Sequence, residues 1–288
     1  MELVLGTANF GNNYGVLNKE SGLGNREIES ILRTCKKLDI KRIDTAVSYG
    51  DSQRILGEFN AGRDFQVSTK IPGEVQDLSA LKRIVEATFT TLRTDYIETL
   101  FFHSIDTARL PTFGEMIEYL ESQVSQKRIG KIGVSVYSES EILDCMKRYP
   151  GFGTFQINEN ILDRRKIKSV ALLNLASAGI HLGVRSIFLQ GLLLANSDAI
   201  QRLPKELGIA SKIFQKNLKE LDLDPLDACL TYAKKIPWAS SITVGVQSRI
   251  ELLEISRAFS QHHEIDFEKF DVGNDFVVDP RRWAIAKA

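Results

Sequence analysis

Cysteine is scarce in this chain of 288 residues: Cys35, Cys145 and Cys229 stand far apart, with no C-x-x-C pair and no local zinc spacing. That scarcity excludes a disulfide framework and predicts reduced thiols, a cytoplasmic protein and no bound metal. Charge of one sign is missing as well. Lys and Arg number 37, as do Asp and Glu, so the formal net charge is zero. The basic footprint that nucleic acid or an anionic membrane would need is absent. The apolar stretch that begins at Ser186 is broken by Gln190, Asn196 and Ser197, and it is too short to span a bilayer. The opening MELVLGTANFG has no basic segment leading into a long apolar one, so no signal peptide is read. Heptads, low-complexity tracts and linker-like shifts are lacking too. With 43% hydrophobic and 26% charged residues, length and composition fit one large globular domain or two small ones; without a linker the expectation is one domain over 1–288, with 261–288 as its tail.

What is present is alternation. Short apolar or β-branched runs predict strands over 3–5, 42–44, 65–69, 96–102, 129–134, 153–157, 180–184 and 241–244. Helical periods predict helices over 25–38, 52–59, 79–92, 112–126, 140–148, 166–178, 204–221, 225–235 and 249–260. In the first helix Asn25 reads as the N-cap, and Ile28, Ile31, Leu32 and Cys35 share one face. Alternating βα units imply a parallel sheet, and eight of them match the α/β (β/α)8 TIM barrel in count and length. A doubly wound sheet fits less well, because the first strand is followed by Gly6-Thr-Ala-Asn-Phe-Gly11 and not by G-x-G-x-x-G.

In a parallel barrel the chemistry sits where strands end. That rim carries Asp44, Tyr49, Lys70 and His103. Singly each has a plain structural reading: a turn-forming Asp, a tyrosine packed in a turn, a solvated Lys, a histidine capping an apolar strand. Three successive strand ends of a closed sheet must, however, converge on one sector. Lys70 is then expected to pair with Asp44 and to sit beside Tyr49, pulling the phenol below its ordinary pKa of about 10. The product is a general acid–base tyrosine, with His103 donating a hydrogen bond to a carbonyl oxygen.

The stretch Asp44-Thr-Ala-Val-Ser-Tyr-Gly-Asp-Ser-Gln-Arg-Ile-Leu-Gly57 resembles the aldo-keto reductase signature D-T-A-x-x-Y-G-x-S-E-x-x-L-G. Gly6-Thr7, Ser68-Thr-Lys70, His103, Gly133-Val-Ser135, Gln156-Ile-Asn158 and Gly191-Leu-Leu193 extend the resemblance in order along nearly the whole chain. It implies hydride transfer between NAD(P)H and the carbonyl of an aldehyde, ketone or sugar, with Asp44, Tyr49, Lys70 and His103 as catalytic tetrad. By the same resemblance Gly6 and Thr7 lie under the nicotinamide ribose, beside Asp44, and Ser135 and Gln156 hold the carboxamide. Gly191 and the last βα unit, through Gly245, Gln247, Arg249 and Glu254, complete the cofactor contacts.

Three departures stand out. Val136 follows Ser135 where the family often has Asn. Arg185-Ser186 replaces an aromatic residue and Ser after the seventh strand, so the Arg185 guanidinium is expected to stack on the nicotinamide. Glu251 stands where NADP-dependent relatives carry a basic residue, with Arg249 two positions earlier. NADP(H) is still favoured over NAD(H). Phe10, Tyr14 and Trp283 are expected to line a substrate pocket with Tyr49 and His103. The partner is a small-molecule carbonyl or sugar, with neither nucleic acid nor membrane, in a monomer or small homo-oligomer. Two other readings are a regulatory barrel that binds dinucleotide without turnover and, on Lys70, a Schiff-base lyase.

Overall fold

A computed structural model describes residues 1–11, 15, 23–270 and 273–283. Its strands are β1 (Glu2–Gly6), β2 (Arg42–Asp44), β3 (Gln66–Ile71), β4 (Ile97–Phe102), β5 (Ile129–Val136), β6 (Thr154–Asn158), β7 (His181–Arg185) and β8 (Ser241–Gly245). Each pairs in parallel with the next, and β8 pairs with β1 to close the cylinder. The register puts Gly6 level with both Asp44 and Gly245, and Asn158 level with Arg185, so the strand ends form one rim. Between strands run α1 (Asn25–Lys37), α2 (Ser52–Glu58), α3 (Leu78–Leu92), α4 (Phe113–Ser125), α5 (Glu139–Arg148) and α6 (Val170–Ser177). After β7 come α7 (Lys205–Glu220) and α8 (Pro225–Lys234), and α9 (Arg249–Ser260) follows β8. The (β/α)8 barrel read from the alternation is therefore the fold.

The boundaries follow local chemistry. Asp77 accepts from the Ala80 amide at 2.7 Å and starts α3. Ser169 accepts from Leu172 at 3.0 Å, which delays α6 beyond the 166 start expected from period alone. Asn25 is not the cap of α1; it is the first helical residue, and Gly24 holds the N-cap position without a side-chain bond.

Alternation along the strands separates two interiors. Leu5, Ile43, Val134, Phe155, Leu182 and Ile242 are buried with the helices' apolar faces in one contiguous core. The axis of the cylinder is unusually polar for a barrel whose inner layers are ordinarily aliphatic. A small cavity there, about 20 Å³, is lined by Arg42, Asp44, Ser68, Thr99, Gln156 and His181 among others. At its lower end Arg42 meets Glu2 at 3.0 Å and the His181 ring at 3.5 Å, and His181 bonds Ser241 at 2.9 Å. The tail packs back on the barrel: Phe267 against Tyr232 and Phe270 against Phe214, ring centroids 5.3 and 5.5 Å apart. It then crosses the rim, where buried Asn158 donates to the Val278 carbonyl at 3.2 Å. Among the described residues no helix is long and apolar enough to cross a membrane.

Candidate active site

The loop after β2 is held so that its tyrosine overhangs the third strand. Thr45 and Val47 amides continue the ladder to Ser68 and Lys70 carbonyls at 2.9 and 3.1 Å. Beneath them a chain of buried hydroxyls, Thr45 to Ser52 at 3.0 Å and Ser52 to Thr7 at 2.8 Å, locks the loop to β1. The turn Ala8–Gly11 lies against it so closely that a Cβ on Gly11 would stand 2.2 Å from the Tyr49 carbonyl oxygen. Gly57 serves α2 in the same way, since a Cβ there would stand 2.1 Å from the Thr91 carbonyl of α3. Several signature residues thus build the platform under the chemistry.

On that platform Lys70, 1% exposed, donates to the Asp44 carboxylate and to the Thr45 carbonyl at 3.2 Å. Gln156 donates to the other Asp44 oxygen at 2.6 Å. Lys70 Nζ lies 5.2 Å from the centre of the Tyr49 ring. His103 meets that ring edge-on at 6.0 Å, and its Nδ1 is 3.3 Å from Ser48 Oγ. Asp44, Tyr49, Lys70 and His103 therefore converge as expected.

The electrostatics differ from expectation at the phenol. Burial raises the Tyr49 pKa well above the ordinary tyrosine range, the Asp44 charge raises it further, and Arg185 opposes them. Lys70 does not deliver the expected lowering, because its ammonium is matched by Asp44 and burial outweighs what remains. Burial also pushes His103 down to about 3, with Lys70 and Arg185 adding to the shift, so its imidazole is neutral at physiological pH.

From this cluster a cleft of about 970 Å³ runs across the rim. Gly6, Arg185, Ser186, Gly191, Gly245, Gln247 and Glu254 of the expected cofactor set line it, together with Glu251. The loop after β7 reaches it in strained form: Ser186, Leu189 and Gln190 take φ of 63°, 46° and 54°, left-handed values that cost non-glycine residues about 1 kcal/mol or more each.

Other expected contacts lie off the cleft. Thr7 is fully buried, its hydroxyl donating to the Asp44 carbonyl at 3.1 Å. Ser135, also buried, accepts from Arg185 Nε at 3.2 Å, and Gln156 points down the barrel axis to Asp44. Arg249 opens α9, where its amide donates to Glu27 at 2.5 Å. Phe10 is 2% exposed in the core. Trp283 folds onto its own tail, its indole N–H donating to the Phe276 carbonyl at 2.7 Å, because a buried indole must find an acceptor. Tyr14 lies outside the described residues. Arg185 stacks on Tyr137, its Cζ 4.4 Å from the ring centre. Tyr137 and Arg257 are cleft residues that sequence reasoning missed. Arg257 follows Glu254 by three positions on α9, a helical spacing that was available as a signal.

Among the described residues no group of His, Cys, Asp and Glu is placed to hold a metal ion. A search of curated protein sequences finds none that matches. Among solved structures, a putative aldo-keto reductase from Pseudomonas aeruginosa is similar with a TM-score of 0.68 at 21% identity, over 90% of this chain and 89% of that one. A thermostable aldo-keto reductase, solved with the inhibitor epalrestat, is similar with a TM-score of 0.67 at 20% identity, over 93% and 92%. At such identities these likenesses establish a shared fold. A sequence profile of the aldo/keto reductase family matches residues 2–271, and on that match across nearly all of its length the chain belongs to the aldo/keto reductase family.

Proposed function

We propose that this protein is an NAD(P)H-dependent reductase of aldehydes, ketones or sugars in which Tyr49 is the proton donor. The observation that carries the reading is the meeting of Tyr49, Lys70, Asp44 and His103 at one end of a cleft of about 970 Å³, near the upper end of ligand-site volumes. The lining suits a dinucleotide: glycine backbone at Gly6 and Gly245 allows close approach, Gln247 and Arg257 offer donors, and Glu254 offers an acceptor. When bound there, the cofactor supplies a hydride from nicotinamide C4. Tyr49 gives its hydroxyl proton to the carbonyl oxygen, Lys70 and Asp44 fix the phenol's surroundings, and neutral His103 orients the carbonyl. The lyase reading on Lys70 is disfavoured, since a Schiff base would require its Nζ to give up a buried ion pair. The non-catalytic reading leaves a buried, oriented acid cluster without a use.

The protonated form of a group is present below its pKa, and the Tyr49 pKa is raised. The acid needed for reduction is therefore present throughout neutral and mildly alkaline solution. Reduction should show a flat kcat/KM from about pH 6 to about pH 9, while alcohol oxidation, which needs the phenolate, should rise with pH. A pH–rate profile in both directions checks this. An inflection near the ordinary histidine value of about 6.5 in the reductive direction would move proton transfer from Tyr49 to His103.

We favour NADP(H) through Arg257, a cation of α9 that lines the cleft and stands 3.8 Å from the Asp227 carboxylate, with Glu254 opposing it. Glu251 is engaged elsewhere: its carboxylate accepts from the Gln247 amide at 2.7 Å, and its own amide donates to the N-cap Ser248 hydroxyl at 3.1 Å. Fluorescence titration with NADPH and NADH in parallel, followed by consumption of each with a reactive aldehyde, tests the function. Glu254→Gln should tighten NADPH relative to NADH by about threefold to tenfold at low salt, as expected for an exposed charge. An unchanged ratio would remove the 2′-phosphate from this end of the cleft, and no dinucleotide binding at all would end the reductase reading.

A further inference from the structure

Below the acid cluster, the barrel axis holds polar groups that the chemistry at the rim does not use. Both oxygens of the Asp44 carboxylate are engaged there: Lys70 donates to Oδ2, and Gln156 Nε2 donates to Oδ1 at 2.6 Å. Gln156 is 6% exposed, and its own Oε1 is buried without a hydrogen-bond partner among the described residues. Leaving a buried amide oxygen unbonded is costly, so this acceptor marks the place of a donor that the side chains do not supply.

The room for that donor is the axial cavity of about 20 Å³ that Gln156 lines. One water needs about 10–15 Å³ and two to four polar partners. Beside Gln156 the wall carries Asp44 and the buried hydroxyl residues Ser68, Thr99 and Thr154. The space exists because β7 brings Gly183 level with Gln156 on one side and with Ser241 on the other. A Cβ at Gly183 would stand 3.1 Å from Ser241 Oγ and 3.8 Å from Gln156 Cγ. Further down the axis Arg42 meets Glu2 and Glu98 at 3.0 and 3.8 Å, and burial lowers His181 to about 4, so its imidazole is neutral. Asp44 and Lys70 are the charged pair above Gln156.

We propose that the axial cavity is the site of one bound water that donates to Gln156 Oε1, and that Gln156, so fixed, is a positioning residue for Asp44 and through it for Lys70 and Tyr49. This places Gln156 with the acid cluster and not on the nicotinamide carboxamide. The positioning role deepens the reductase reading and rests on it, whereas the water site stands apart from it.

A crystal structure of the wild-type protein should show a water about 2.5–3.0 Å from Gln156 Oε1. Gly183→Ala, whose methyl takes that space, should lose the water and lower kcat by about twofold to tenfold, the worth of one neutral hydrogen bond. Density without a water at Gln156 would overturn the site, and expulsion of the water with kcat unchanged would overturn its part in positioning. Gln156→Glu tests the side chain itself, because the two match in shape and a carboxyl donates to Asp44 only while protonated. Two carboxyl groups in contact share a proton, which raises the pKa of one of them. This variant should reduce carbonyls at near the wild-type rate at about pH 5 and lose about tenfold or more by about pH 9. Gln156→Leu, which donates at no pH, should lower kcat by about tenfold to a hundredfold throughout, the scale of a misplacement of about 1 Å. Both variants should bind NADPH and NADH within about threefold of wild type. A flat profile for Gln156→Glu would overturn the positioning role. So would a tenfold loss of dinucleotide affinity in Gln156→Leu with kcat retained, since Gln156 would then serve the cofactor. A wild-type protein that holds the water but consumes no carbonyl would sink the reductase reading, and the positioning role with it, and leave the water site standing.

Discussion

Tyr49→Phe should lower kcat by about a hundredfold to ten-thousandfold while leaving NADPH and NADH affinity within about threefold of wild type, the loss expected when a positioned general acid is removed. The substitution takes away one oxygen and keeps the ring on which Lys70 and His103 pack at 5.2 and 6.0 Å. Folding and cofactor contacts therefore have little reason to change. The size of the loss bears on the environment of the phenol. Burial and Asp44 hold its proton tightly in the resting site, so it becomes a competent donor only as negative charge grows on the substrate oxygen. Transient kinetics should show the defect in the hydride step, with binding phases preserved. Normal turnover by Tyr49→Phe would remove the tyrosine from the chemistry, and Ser48 or His103 would have to take the role.

Much of this arrangement is legible in the sequence, for identifiable reasons. The barrel shows because each strand is a short apolar run and each helix carries a stripe such as Ile28, Ile31, Leu32 and Cys35, which is buried as the period requires. The tetrad shows because strand ends of a closed parallel sheet converge, so Asp44, Lys70 and His103 had to meet. What could not be read were partners decided by register across the cylinder. Ser135 and Gln156 stand level on β5 and β6, yet one turns to Arg185 and the other crosses the axis to Asp44. Trp283 and Phe10 were hidden for a different reason. Aromatic residues near a rim satisfy burial equally well by lining a cleft or by entering the core, and hydrophobicity does not choose between them. The phenol's pKa departs from the lowering that Lys70 predicts because burial, which residue order does not reveal, is the largest influence on it, followed by the Asp44 charge.

That ion pair sets the second large effect. Lys70→Met should destabilise the protein by about 3–5 kcal/mol, because it leaves a buried carboxylate without its cation. Thermal denaturation should show a Tm lower by about 6–20 °C for a chain of this size. Activity should fall with it, since an unmatched Asp44 charge raises the phenol's pKa further. Asp44→Asn in the same background supplies the discriminating comparison. The double variant has no buried charge at this point, Gln156 still has an oxygen to donate to, and most of the lost stability should return. Catalysis should not return, because neither an ammonium nor a carboxylate then remains beside Tyr49. Stability and rate would thus separate across three proteins that differ only below the ring. Recovery of both in the double variant would mean that Lys70 and Asp44 merely hold up the loop after β2. Recovery of stability alone would mean that the pair exists for the proton it helps to place, and that the barrel carries two buried charges where a well-packed apolar pair would fold at least as well.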